Sequence, residues 1–143
     1  MPSKGLAVEK LRKELSRLRG VRFISLFGSI AEGKTTPLSD VDVAVLPEEG
    51  ADELLLVADI LEIVTRSLGV TEDRVDVLLL NHANSLPLLY NAVVRGILLY
   101  CSDPQFCSEY KRRILSQYLD YLVFREKLDL RRKFLEAVGR SLR

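Results

Sequence analysis

The chain is short of the residues that build small metal or redox centres, with two cysteines and one histidine. Cys101 and Cys107 lack the CxxC spacing of a zinc or redox motif, and no further Cys or clustered His is available to complete a ligand set. The expectation is a pair of reduced thiols in a cytoplasmic protein that folds without disulfides or structural metal. Long hydrophobic runs are missing as well. Nowhere do the roughly eighteen apolar residues of a spanning helix follow one another. Met1 to Arg19 carries charge at every turn where a secretory leader would carry an apolar core. A soluble chain with no membrane association is expected. Net charge is only +1, which argues against a protein that coats DNA and against nucleic acid as the main substrate.

What is present suits one domain. The chain has 143 residues, 48% of them apolar, enough for a proper core. Leu11, Leu15 and Leu18 recur at helical spacing before Gly20, so residues 6–18 read as an amphipathic helix. VRFISLF (21–27), rich in β-branched and aromatic residues between two glycines, reads as a strand. DVDVAVL (40–46) alternates strictly, with Val41, Val43 and Val45 on one face and Asp40, Asp42 and Ala44 on the other. A helix over 51–68 closes at Gly69, and RVDVLLL (74–80) is a third strand. Ser85 caps a helix running to about Arg95, and ILLYC (97–101) is a fourth strand. From Ser108 onward a helical pattern is interrupted only at Gly139. The predicted architecture is α/β (α+β): a mixed sheet of about four strands flanked by helices, over residues 1–107 with its core at 20–101. A C-terminal helical extension follows over 108–143. Charge divides with it. Residues 111–143 hold ten basic and four acidic residues, a net +6, whereas residues 1–110 hold eleven and sixteen, a net −5. The basic helix is either a solvated face or a surface for an acidic protein or RNA.

The chemistry lies in three acids and a turn. Asp40 and Asp42, two apart on a strand, share a face, and two carboxylates side by side repel unless one protonates or a cation joins them. Magnesium takes hard oxygen ligands, usually one or two carboxylates together with substrate phosphates. If the strand of Asp76 lies beside that of Asp42, the set could hold two ions about 3.5–4 Å apart. Upstream, Gly28 permits a tight turn at the end of a strand, and free backbone N–H groups with the Ser29 hydroxyl offer donors to a phosphate. Each feature also has a plainer explanation. Gly28-Ser29 alone could be an ordinary turn, Asp40 an Asx turn or a cap, and Asp42 an exposed edge residue. Asp76 is harder to dismiss, since an acid in an apolar strand is costly unless paired or bound to metal.

Gly28-Ser29, ten residues, then Asp40-Val41-Asp42, with a third acid in RVDVLLL, resembles the signature of the DNA polymerase beta nucleotidyltransferase superfamily. The stretch GSIAEGKTTPLSDVDVAV is similar to the minimal nucleotidyltransferases (MNT) paired with HEPN toxins. The resemblance covers about residues 20–101. It implies ATP as substrate, magnesium at Asp40, Asp42 and Asp76, Gly28 and Ser29 at the nucleotide, and AMP transfer to a hydroxyl. A tyrosine of a HEPN partner would be the acceptor. Many relatives carry Arg where this chain has Glu32, a charge reversal that bears on substrate choice. Two alternatives stand beside this reading: an antitoxin that acts by binding with a vestigial nucleotide site, and transfer to a small molecule such as an aminoglycoside, with the pocket built in a homodimer.

GSIAEGKT (28–35) also spells the P-loop pattern G-x-x-x-x-G-K-[ST]. That loop needs a long helix after its Lys and Thr, and Pro37 with the strand of Asp40 leaves too little chain for one. Phosphate contacts are therefore expected at Gly28 and Ser29, not Lys34. His82 is expected to be a loop residue, and Tyr100, Tyr110, Tyr118 and Tyr121 packing aromatics.

Overall fold

The alternation of the second strand decides the layering. In the computed structural model, which describes residues 4–31, 33 and 40–142, Val41, Val43 and Val45 of β2 (Val41–Pro47) are buried in one cluster. Leu11 and Leu15 of α1 (Lys4–Leu15) and Ile60, Val64 and Leu68 of α2 (Glu53–Leu68) join them there. Ala44 points the other way, into a second cluster with Phe23, Val93, Tyr110 and Ile114. A period of two in the sequence thus becomes one sheet with helices on both faces.

The sheet has four strands in the order β3-β2-β1-β4. β1 (Val21–Phe27) is antiparallel to β2 and to β4 (Ile97–Cys101), while β3 (Val75–Leu79) is parallel to β2. α2 supplies the crossover that a parallel pair requires. Asp52 caps it by accepting from the Leu55 N–H at 3.1 Å, and Gly69 ends it with its N–H on the Thr65 carbonyl. The mixed sheet flanked by helices is the architecture read from the sequence.

Two elements differ from expectation. The helix expected over 85–95 is one α-turn, α3 (Leu86–Leu89), that widens into a π-turn at Tyr90–Val94. The Ser25 hydroxyl of β1 donates to the Ala92 carbonyl at 2.6 Å in a fully buried contact. Gly96 packs so closely that a Cβ there would overlap the Ala92 carbonyl and press on that of Leu26. The tie to β1 favours the wider turn over a regular helix. The last helix, α4, runs from Pro104 to Ser141. It starts earlier than expected because Asp103 accepts from the Gln105 N–H and Pro104 occupies the first turn. Gly139 does not interrupt it. Only Cys107, Tyr110 and Ile114 of α4 are buried, and Tyr118 stacks on Tyr90 with ring centroids 4.1 Å apart.

The expectation of free thiols is corrected. Cys101 and Cys107 form a disulfide. The chain turns from β4 straight into α4, folding the helix back over the sheet, so the last strand residue meets a buried residue of the first helical turns at a Cα separation of 6.4 Å. The absence of a CxxC motif carries no information about such a strand-to-helix pair. No helix among the described residues is long and apolar enough to cross a membrane.

Candidate active site

Strand register brings the acids together. β2 and β3 pair in parallel with Asp42 opposite Asp76. Both residues lie on the face of Ala44 and Leu78, toward the second cluster. β1 approaches from the other side with Phe27 opposite Asp42, so the chain leaves the sheet at Gly28 directly beside that carboxylate. Gly28 has φ 76°, in the left-handed region, and a Cβ built on it would overlap Asp42 Oδ2. Glycine is favoured there by its conformation, and its missing Cβ leaves the space that the carboxylate takes in this rotamer. Ser29 follows in the same turn, half-buried, and Ile30 anchors the turn in the first core cluster. Asp40 immediately precedes β2 and is exposed; Asp42 is half-buried and Asp76 exposed.

The electrostatics follow from this placement. Burial pushes the Asp42 carboxyl above the ordinary carboxylate range, and the charges of Asp76 and then Asp40 push it further. Among the described residues no three His, Cys, Asp or Glu side chains converge closely enough to enclose an ion. The donors nonetheless suit a hard divalent cation in kind. They are carboxylates only, they repel one another, and they flank a turn held open for lack of a Cβ. Asp40, Asp42 and Asp76 could hold such an ion after side-chain rotation, and the backbone of Gly28 with the Ser29 hydroxyl could meet a phosphate beside it. Gly28→Ala is expected to lose stability by about 1–2 kcal/mol from the left-handed conformation alone. Its overlap with Asp42 should also weaken nucleotide binding; thermal melts with and without nucleotide measure both.

His82 is not part of this group. It lies beyond the far end of β3 from Asp76, exposed, with Nε2 2.7 Å from Glu53 Oε2 of α2. That hydrogen bond, with a second from Asn81, holds the Glu53 carboxyl below its ordinary range. The expected tyrosine packing is found: Tyr110 is buried against Phe23, and Tyr118 stacks on Tyr90. Glu32, Lys34, Thr35 and Pro37 lie outside the described residues, and with them the region that separates a P-loop from the turn favoured here. The contact between Gly28 and Asp42 escaped sequence reasoning, because it depends on the antiparallel register of β1 and β2.

A mixed sheet that sets paired acids beside a glycine turn at the end of its central strand defines the class of nucleotidyl-transferring folds. The family model described as Polymerase beta, Nucleotidyltransferase matches residues 9–105. The chain belongs to that family and is a nucleotidyltransferase. No curated protein matches it in sequence. Among solved structures, a toxin-antitoxin crystallised with AMP-PNP is 24% identical, with a TM-score of 0.63 over 85% of this chain and 94% of that one. A complex of the tri-AMPylated HEPN toxin of Shewanella oneidensis with its MNT antitoxin is 23% identical, with a TM-score of 0.60 over 88% and 95%. An MntA-HepT toxin-antitoxin structure is also 23% identical, with a TM-score of 0.58 over 87% and 94%. At these identities the likeness is one of fold.

Proposed function

We propose that this chain transfers AMP from ATP to a tyrosine hydroxyl of a HEPN-family partner and so acts as an antitoxin. The observation that carries the proposal is the apposition of Asp42 to Asp76 across β2 and β3, with the Gly28 turn against the Asp42 carboxylate. The tri-AMPylated toxin and the AMP-PNP found in structures of the same fold support the acceptor and the nucleotide.

In this reading Gly28 and Ser29 orient the triphosphate, and Asp40, Asp42 and Asp76 are the magnesium ligands. Bound magnesium, two ions in the family pattern, would offset phosphate charge and ease deprotonation of the acceptor hydroxyl. The acceptor oxygen attacks the α-phosphorus in line, a new P–O bond forms, and the bond to the bridging oxygen breaks with release of pyrophosphate. The hydroxyl proton passes to Asp76, which lies on the edge strand and faces solvent from which an acceptor arrives. Residues 1–107 would then be the catalytic unit and 108–143 an extension available to partners.

The test incubates the purified chain with ATP, magnesium and a purified HEPN-family ribonuclease, and reads the partner by intact mass. Addition of adenylyl groups, lost when its tyrosines are replaced by Phe, is expected. A partner that binds and is inhibited without gaining mass would leave an antitoxin that acts by binding.

A further inference from the structure

The face of α4 that packs on the sheet does not end where the sheet ends. Cys107, Tyr110 and Ile114 are buried at intervals of three and four, and the same alternation continues along the projecting helix. Tyr121, Phe124, Leu128, Leu135, Val138 and Leu142 all fall on it, and Gln117 and Arg131 are the polar residues among them. Apolar side chains therefore recur with a period of seven for about three heptads, roughly 30 Å of helix. A strict seven-residue repeat drifts around a straight helix and stays in contact only with a second helix that coils about it. Tyr121 leans on Tyr118 with ring centroids 6.3 Å apart, and the residues after it on this face stand open: Phe124 is 60% exposed and Leu142 81%. The seam lies beyond the residues 9–105 matched by the family model.

The flanks of the seam indicate what covers it. In a coiled coil the residues on either side of the apolar positions face the partner's flanks. Along the projecting part those positions hold Arg125, Lys127 and Arg132, with Phe134 beside them, against the single acid Asp120. Arg132 is tied to Asp129 on its own helix at 2.6 Å, and the excess of positive charge remains. A second copy of this helix fits poorly. In parallel register it would set Arg131 against its counterpart and Lys127 against the other copy's Arg132, and in either direction it overlays two tails of net +6. RNA would use the basic residues and leave the apolar seam uncovered.

We infer that the projecting part of α4 is a coiled-coil docking surface for an acidic amphipathic helix of a partner protein. Its occupation needs neither nucleotide nor magnesium, so it stands or falls apart from the transfer reaction.

The experiment uses the full chain and two fluorescent synthetic peptides of four heptads, both with Leu at the apolar positions, one with Glu and one with Lys on the flanks. Anisotropy is expected to show the Glu peptide bound at least about tenfold more tightly than the Lys peptide. The variant Leu128→Ser with Leu135→Ser should weaken that binding at least about tenfold. Leu119→Ser with Leu130→Ser replaces leucines off the seam of matching exposure, 52% and 59% against 49% and 57%, and should change it by less than about twofold. Circular dichroism of each variant checks that the helix is retained. Equal binding of the two peptides, an equal loss in the off-seam variant, or no saturable binding of either peptide would overturn the inference. So would self-association of the chain that the Leu128→Ser, Leu135→Ser variant breaks, which would give the seam to a second copy.

Discussion

Asp42→Asn is expected to melt at a higher temperature than the parent chain while losing nucleotidyl transfer. The carboxylate of Asp42 is half-buried, lies opposite Asp76, and has its proton affinity raised by burial and by the charges of Asp76 and Asp40. A raised carboxyl pKa means that the folded state binds the proton more tightly than the unfolded chain. Stability then falls as pH rises from the ordinary carboxylate range through the raised value, and stays low at neutral pH. Asn keeps the shape and removes the charge, so that fall should vanish from the pH profile. Partial exposure screens the repulsion to the order of 1 kcal/mol, about 2–4 °C in melting temperature for a chain of this size. Magnesium should raise the melting temperature of the parent and not of the variant, because an ion that binds only the folded state stabilises it by mass action. Transfer should drop by at least about a hundredfold, the scale seen when one group that stabilises developing charge is removed. Differential scanning fluorimetry across pH, with and without magnesium, and a single-turnover assay measure these effects. An unchanged or lower melting temperature without metal would show that Asp42 is stabilised where it stands.

Asp76→Asn is expected to separate binding from chemistry. Asp42 sits on an inner strand beside the Gly28 turn, whereas Asp76 is on the edge strand and exposed, so in the proposed reaction the two carboxylates would face different reactants. Loss of Asp42 should weaken magnesium-ATP binding. Loss of Asp76 should leave it nearly intact while slowing AMP transfer by at least about a hundredfold, the lower end of what a positioned proton acceptor contributes. Calorimetric titration of ATP in magnesium beside the single-turnover assay resolves the two terms. Equal transfer rates in parent and variant would make Asp76 a structural residue and leave the proposed reaction without its base.

Local pattern was enough for most of the fold. The strict alternation of residues 40–46 assigned β2 and both of its faces, because a strand's side chains alternate whatever its neighbours are. The short apolar runs at 21–27, 74–80 and 97–101 assigned the other strands, and Gly69 closed α2 as a left-handed cap. Gly28-Ser29 and the three acids could be picked out as candidates because few residue types suit phosphate and metal chemistry, and their spacing is short. Tertiary structure decided what distance along the chain cannot reveal. The place of β3 beside β2, which sets Asp76 opposite Asp42, comes from α2 packing its apolar face across the valine side of the sheet. The fit of Gly28 against the Asp42 carboxylate comes from the register of β1 on β2. The Cys101–Cys107 bond exists because α4 folds back over β4. The π-turn at Tyr90–Val94 reflects a hydroxyl from a strand distant in sequence. Propensity and periodicity are properties of neighbours in the chain, whereas register, apposition and covalent closure are settled only when separate elements pack.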